Sequence, residues 1–238
     1  MNEYARNVIQ NKSDSPGYMQ TPIWNFEMGY IQLRHLELDD AAKNFEYFIS
    51  RFKGKFYVKD ACEKLSWCYY LQGNTTAANN ARQQVLKKGN AETDADKQAY
   101  KDAKSGKWPN ASLLKARLLN DGGYNKQALA QLETKTSKDF ATPEWQLEFT
   151  YRLGRIYDDM KNDDAAIKNY LSAISIGMNR TEYYASRAAL QVGMIYERQG
   201  NKTLAIEYYK KCLEMSDHDY KDSIDQKAKA GVARCSGG

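Results

Sequence analysis

The chain contains 238 residues, of which 42% are hydrophobic and 27% are charged, so it has enough apolar material for a large core. Its net charge of +5 comes from interspersed basic and acidic residues, a pattern that does not indicate nucleic-acid binding. No apolar run is long enough to predict a membrane-spanning helix. Two histidines and four cysteines argue against a histidine-based metal site and against a disulfide framework.

The first residues predict a short helix and then a linker. EYARNVIQNK has a helical pattern, whereas SDSPGYMQTP contains the proline and glycine that are typical of a linker. We assign residues 1–21 to this helix remnant and linker. The helix could be the second half of an earlier repeat, so upstream repeats of a longer chain are one expected partner. The start lacks the pattern of a secretion signal, which favours a cytoplasmic location.

An internal repeat dominates the rest of the sequence. A glycine is followed by tyrosine three residues later, alanine twelve later and tyrosine sixteen later in two copies: Gly154, Tyr157, Ala166 and Tyr170, then Gly193, Tyr196, Ala205 and Tyr209. The same offsets recur with weaker matches from three upstream positions. We call the first residue of each copy its anchor; in chain order the anchors are Gly29, Ser66, Ala116, Gly154 and Gly193. A small anchor lets two helices approach closely, and the later aromatic residue fills the space beside it.

Helix ends agree with this repeat. Gly73, Gly122-Gly123 and Gly200 lie where the first helix of a pair must stop and turn. The predicted N-caps of the second helices are Asp39-Asp40, Thr76, Asp163-Asp164 and Thr203. Residues 88–109 interrupt the repeat, and we expect a short helix near 93–104 within this insertion. Residues 219–238 predict a final polar capping helix and tail.

The two downstream copies resemble tetratricopeptide repeats. The family pattern W-x2-L-G-x2-Y followed by A-x3-F is matched by Leu153, Gly154, Tyr157, Ala166 and Tyr170, and again by Val192, Gly193, Tyr196, Ala205 and Tyr209. Thr150 and Ala189 replace the tryptophan, and the family's later proline is missing. The stretch LLKARLLNDGGY is similar to bacterial members. The resemblance implies an all-α fold, a right-handed superhelical solenoid of about five helix-turn-helix repeats over 22–218, with the capping helix after it.

Catalytic and metal-binding patterns are not evident. No phosphate-binding loop occurs, since Trp108 follows Gly106-Lys107 where Ser or Thr would be required. Cys62 and Cys68 do not form a C-x-x-C pair, and the acidic stretch 158–164 lacks the spacing of a calcium loop. We therefore expect no catalytic residue, no metal and no cofactor, and we interpret the chain as non-enzymatic.

In the resembled family, ligands lie in a concave groove formed by the first helix of each pair. By register, the resemblance places these residues on that groove: Phe26, Tyr30, Trp67, Tyr70, Arg117, Tyr151, Arg155 and Met194. The family's clamp for chaperone tails uses lysine and asparagine at such places, so that ligand is disfavoured. Arg117 and Arg155 could hold an acidic peptide, or they could pair with the nearby acids Asp121, Asp158 and Asp159.

The leading functional hypothesis is a scaffold that binds a peptide or a partner protein in this groove. Two alternatives stay open. The solenoid could carry a small-ligand or enzymatic site closed by the 88–109 insertion, or it could be a structural segment that packs against missing N-terminal repeats. Binding to nucleic acid or to a membrane surface is permitted by the lysine-rich insertion but is not expected.

Overall fold

The computed structural model describes residues 2–13, 21–215 and 218–237, and all regular structure in these ranges is helical, which confirms the all-α prediction. The chain divides into two compact units, Met1–Tyr124 and Asn125–Gly238. The helices of the first unit are α1 (Asn2–Ser13), α2 (Pro22–Arg34), α3 (Leu38–Arg51), α4 (Val58–Leu71), α5 (Thr75–Lys87), α6 (Asp94–Ser105) and α7 (Ala111–Asp121). Those of the second unit are α8 (Asn125–Ala130), α9 (Pro143–Asp159), α10 (Asp163–Gly177), α11 (Tyr184–Arg198), α12 (Lys202–Glu214) and α13 (Lys221–Ser236), with a 3-10 turn at Ser137–Asp139.

Consecutive helices pack as hairpins within each unit. In the first unit α2 packs against α3 and α4 against α5, and in the second unit α9 packs against α10 and α11 against α12. These pairs are the first, second, fourth and fifth predicted repeats. The two helices of the third repeat, α7 and α8, fall in different units. The predicted division into 1–21, 22–218 and 219–238 stays a prediction, and its linker at 14–20 lies outside the described residues.

A left-handed residue ends the first helix of every repeat. It stands seven residues after the anchor in all five copies, at Leu36, Gly73, Gly123, Lys161 and Gly200, with φ between 62° and 85°. Glycine adopts this conformation without steric cost, so the predicted stops at the three glycines are confirmed. Leucine and lysine take the same conformation in the other two copies because the hairpin imposes it.

The residue after this turn caps the second helix in three copies. The Oδ1 atoms of Asn74, Asn162 and Asn201 accept hydrogen bonds from backbone N–H groups three residues on, at 3.1–3.2 Å. The predicted caps at Thr76, Asp163 and Thr203 are therefore wrong. Asp39 is wrong too, because Glu37 holds the N-cap position of α3, without a side-chain hydrogen bond. Those residues lie inside the first turn of their helices, because the left-handed residue sets the start of the helix earlier.

The anchors meet the aromatic residues as the repeat predicts. A Cβ atom at Gly154 would lie 2.5 Å from Cδ1 of Tyr170, and one at Gly193 would lie 2.6 Å from Cδ1 of Tyr209. Both tyrosines are fully buried. The glycines therefore create the space that the rings fill, and the two rings belong to one apolar cluster of the second unit.

The 88–109 insertion folds back onto the first unit. The predicted helix near 93–104 is confirmed by α6, which packs against α4 and α5. Asp96 is fully buried and binds the start of α4, where its Oδ2 accepts from Tyr57 N at 2.6 Å and its Oδ1 accepts from Asp60 N at 3.1 Å. The insertion thus caps the start of α4, and its Ala99 belongs to the apolar cluster of the first unit.

Helix α13 occupies most of the predicted capping segment. It packs against α12 and α11, as α11 packs against α10 and α9. Its Gly231 lies 38 residues after Gly193, close to the repeat length, and a Cβ there would clash with the ring of Tyr209. The helix therefore takes the position of the first helix of a further repeat, which the sequence analysis did not recognise.

Candidate protein-binding surfaces

The eight predicted groove residues are divided between the two units. Phe26, Tyr30, Trp67, Tyr70 and Arg117 belong to the first unit, and the other three belong to the second unit.

Phe26 lies in the aromatic core of the first unit. It is 7% exposed, and its ring centroid is 4.9 Å from that of Phe48 and 5.6 Å from that of Tyr57. Tyr30 packs on it edge-on at 5.1 Å. Phe26 therefore supports the surface from below and offers a ligand little area.

Four polar side chains of the first unit form a buried network. The Tyr30 hydroxyl donates to Asp60, and the Lys64 ammonium pairs with Asp60 at 3.1 Å and with Glu63 at 2.5 Å. Burial raises the pKa of the Glu63 carboxyl, although Lys64 opposes that rise. The two carboxylates raise the pKa of Lys64 against the effect of burial. The single ammonium of Lys64 thus pairs with the carboxylates of Asp60 and Glu63 in the buried part of α4.

Cations cover the faces of Trp67. Nζ of Lys64 lies 3.9 Å from the centre of the indole, and the Arg117 guanidinium lies 5.6 Å from it. Arg117 also approaches Asp121, one turn later on α7, at 3.7 Å. Trp67 is 8% exposed, so its contacts are mainly internal.

Tyr70 is covered by the end of the insertion. The Trp108 indole stacks on its ring at 4.7 Å and 12°, and the Tyr70 hydroxyl donates to the Pro109 carbonyl at 2.9 Å. The Arg82 guanidinium lies 4.6 Å from the centre of the same indole and donates to the Lys107 carbonyl at 2.8 Å. The sequence did not indicate this contact, because Tyr70 and Trp108 are far apart in the chain.

In the second unit, Tyr151 is a buried residue of the cluster around α9 and α11. It is 3% exposed, and the ring of Tyr184 lies 5.2 Å from its own. Arg152 lies beside both rings, 5.5 and 5.6 Å from their centres. Nε and Nη2 of Arg152 donate to Oε1 of Glu148 at 3.0 and 2.9 Å, so the charge of this buried arginine is paired within α9.

Arg155 and Met194 follow the anchors Gly154 and Gly193 directly, so they hold the same register in successive repeats. Met194 is 45% exposed, and the Arg155 side chain is 28% exposed. Arg155 pairs with Asp159 at 3.4 Å, one of the pairings that the sequence left open. Arg187, six residues before its anchor, is half-buried and forms no ion pair among the described residues. The sequence analysis missed Arg187, although its register matches that of Glu148.

An ionic contact joins each repeat of the second unit to the next helix along the chain. Asp158 accepts from Tyr170 at 3.4 Å and pairs with Arg198 of the following repeat at 3.2 Å. Glu197 lies in the equivalent place, accepting from Tyr209 at 2.5 Å and pairing with Arg234 of α13 at 2.8 Å. The acid, the tyrosine and the arginine thus recur together, and they hold the two neighbouring first helices at fixed spacing.

Across 2–13, 21–215 and 218–237, no cluster of three or more histidine, cysteine or acidic side chains is arranged to bind a metal ion. None of the helices in those ranges has the length and apolar content needed to cross a bilayer.

Comparison with known proteins supports the repeat assignment. The tetratricopeptide repeat family model matches residues 147–176 and 186–219, which contain α9 to α12 of the second unit. No curated protein matches the chain at a significant level.

Three solved structures match the chain at low similarity. The apo form of RapI is 17% identical, with a TM-score of 0.47, covering 98% of this chain and 67% of its own. MamA from Desulfovibrio magneticus RS-1, residues 41 to the end, is 16% identical over 90% of this chain and 94% of its own, with a TM-score of 0.39. The P58(IPK) tetratricopeptide domain is 14% identical over 100% of this chain and 67% of its own, with a TM-score of 0.40. At these values the likenesses bear neither on the arrangement of the units nor on function.

The matched ranges contain residues that the repeat singled out: the anchors Gly154 and Gly193, with Tyr170 and Tyr209 packed against them. Residues 147–176 and 186–219 of the second unit are thus similar to two tetratricopeptide repeats.

Proposed function

We propose that the chain is a non-enzymatic scaffold that binds a peptide or a partner protein along the first helices of its repeats. Tetratricopeptide repeats support an interaction role in general. The observation that carries the finer proposal is the register of Arg155 and Met194. Both occupy the position after a buried glycine anchor, and both reach solvent from the first helix of their repeat.

This surface combines a fixed backbone with accessible side chains. The anchors hold α9 and α11 against Tyr170 and Tyr209, and the ionic contacts at Asp158 and Glu197 hold each first helix to the next. A ligand would therefore bind an ordered surface, and little conformational entropy would be lost in ordering it. In the first unit the corresponding residues contribute less area, because Phe26 and Trp67 are buried and Trp108 covers Tyr70.

The experiment is photo-crosslinking from two exposed methionine positions. A benzoylphenylalanine replaces Met194 on α11 in one protein and Met178, 52% exposed after the end of α10, in its control. Each is irradiated in extract of the native source, and the products are identified by mass spectrometry. We expect a discrete product from position 194 that position 178 does not give and that excess unlabelled parent protein suppresses.

Two results would contradict the proposal. Position 194 could yield no product, or both positions could yield the same products, which would indicate nonspecific collisions. Identical melting temperatures for the two labelled proteins are required, since both positions are exposed and neither label should disturb the core.

A further inference from the structure

Two short stretches of the first unit carry a local excess of positive charge. Residues 51–57 join α3 to α4, and residues 86–90 include the end of α5. Neither stretch contains an acid, and their cationic side chains are all exposed: Arg51, Lys53, Lys55, Lys87 and Lys88. None of these five forms an ion pair or a side-chain hydrogen bond with a described residue. The stretches lie together, because the Lys55 carbonyl accepts from Asn90 N at 3.0 Å, and we call them the basic patch.

An exposed aromatic ring belongs to the basic patch. Phe56 is 47% exposed, and its ring stacks on no described ring. The backbone is fixed on either side of it, since the Lys55 carbonyl is bound by Asn90 and Tyr57 N donates to the buried carboxylate of Asp96 at 2.6 Å. The Phe56 ring is therefore exposed from an ordered backbone, although an apolar group in water is unfavourable.

Tyr57 adopts a conformation that bulky residues avoid. Its φ is 61°, in the left-handed region, and its side chain is 43% exposed. Apolar packing fixes the loop before it, since Phe52 stacks on Phe48 at 4.7 Å and a Cβ atom at Gly54 would lie 2.5 Å from the Phe52 ring. Strained residues that the surrounding structure imposes are concentrated at functional sites.

The acids that follow residue 90 do not neutralise the basic patch. Glu92 accepts from Asn90 Nδ2 at 2.9 Å, and Asp94 pairs with Lys97 at 3.9 Å. Asp96 is fully buried. The net charge of +5 sums dispersed charges of both signs and conceals this local excess, which is available to an anionic partner.

The chemistry of the basic patch favours a lipid surface. Four of its five cations are lysines, whose ammonium is a mobile point charge that suits diffuse negative charge, whereas the fixed fork of arginine suits a single carboxylate or phosphate. The Phe56 ring has no hydrogen-bonding group and suits the apolar boundary of a bilayer. Single-stranded nucleic acid instead requires several free rings for successive bases, and Tyr57 already packs against Phe26 at 5.6 Å.

We propose that the basic patch binds the surface of a membrane that contains anionic lipids. Phe56 would enter the headgroup region, and the lysines would lie within screening distance of the negative headgroups. The inference goes beyond the proposed scaffold function, because it concerns the first unit and a different class of partner. It departs from the expectation drawn from sequence, which considered the charge of the whole chain.

The test is cosedimentation of the full chain with sucrose-loaded vesicles of phosphatidylcholine, either pure or with about 30% phosphatidylserine. We expect binding to the serine-containing vesicles to be at least about tenfold tighter and to weaken as salt rises. Lys53→Gln combined with Lys55→Gln should weaken this binding by about tenfold, and Phe56→Ser should weaken it by about fivefold. These positions are exposed, so unchanged melting temperatures are expected.

Two variants are matched controls. Lys202→Gln combined with Lys210→Gln removes the same charge from exposed positions of α12, and Tyr47→Ser removes a ring that is 49% exposed on α3. Each should bind within about twofold of the parent.

Equal binding to the two kinds of vesicle, no binding to either, equal losses in the controls, or unchanged binding in Phe56→Ser would overturn the inference. So would release of the vesicle-bound protein by single-stranded DNA at equal negative charge, since that result would assign the patch to nucleic acid. Crosslinking from position 194 is read separately, so either proposal can fail without the other.

Discussion

Lys161 and Gly200 occupy the same turn in successive repeats with φ of 63° and 78°. A side chain costs roughly 1–2 kcal/mol in this conformation, whereas glycine does not pay that cost. We expect Lys161→Gly to raise the free energy of unfolding by about 0.5–1 kcal/mol, after the entropy cost of glycine. Gly200→Ala should lower it by about 1 kcal/mol. Urea denaturation of both variants measures this, and a loss of stability in Lys161→Gly would contradict the assignment of the turn.

Gly193 is a position at which packing requires glycine. A methyl group there would lie 2.6 Å from the Tyr209 ring, in a fully buried place. We expect Gly193→Ala to lower the free energy of unfolding by about 1–2 kcal/mol, since overpacking exceeds the gain in helix propensity. In a protein that already carries Tyr209→Leu, Gly193→Ala should lower the free energy of unfolding by less than it does in the parent, because the ring that the methyl group meets is absent. Thermal melting that shows additive losses would exclude a direct clash.

The contact between α11 and α13 gives the second unit a defined acid sensitivity. Hydrogen bonds from Arg234 and Tyr209 lower the pKa of Glu197 from its ordinary 4.5 to about 2. Because the folded pKa is depressed, the stabilisation is complete above about pH 4.5 and is lost as pH falls towards 2.

We expect Arg234→Gln to lower the free energy of unfolding by about 0.5–1 kcal/mol near neutral pH, a small value because the pair is partly exposed. The difference from the parent should shrink between pH 4.5 and pH 2. Melting temperatures measured across this range provide the check. A difference that is constant with pH would mean that Arg234 acts by packing alone.

The junction of α6 with α4 depends on a single buried carboxylate. Asp96 accepts two backbone hydrogen bonds at the start of α4 and is fully buried. We expect Asp96→Ala to lower the free energy of unfolding by about 2–4 kcal/mol, because two backbone donors at the start of α4 lose their acceptor, one of them in a buried place. Asp94→Ala, two residues earlier and fully exposed, is the control and should stay within about 0.5 kcal/mol of the parent. Similar losses in the two variants would show that Asp96 contributes only helix propensity.

At the scale of the whole molecule, the apolar cluster of α9 to α13 is formed by residues of the second unit, from Leu147 to Cys235. We therefore expect residues 125–238, produced alone, to unfold in one cooperative transition, since they contain this whole cluster. Circular dichroism during thermal melting measures it. A broad, non-cooperative change would show that the first unit completes this core.

Periodicity predicted the helices and their order well, because anchors and aromatic residues repeat at fixed offsets. The left-handed turns at Leu36 and Lys161 were not predictable from residue type, since only glycine announces that conformation. Gly231 was readable from its spacing, but it lacks the tyrosine that follows Gly154 and Gly193 by three residues.

The candidate site was less predictable than the fold. Asp60, Glu63 and Lys64 are charged residues that sequence reasoning places at the surface, yet the enclosure of α4 buries all three. The covering of Tyr70 by Trp108 depends on how the insertion folds back. Register alone placed Arg155 and Met194 at accessible positions, and it could not reveal that Tyr151 is buried.

The recurring acid, tyrosine and arginine have a consequence for how such a chain can lengthen. Asp158 finds its arginine in the following repeat, and Glu197 finds its arginine in α13. A duplicated block of residues 193–230 would carry Glu197 for the helix after it and Arg198 for the repeat before it. Duplication of that one repeat would therefore leave each of these acids with an arginine partner.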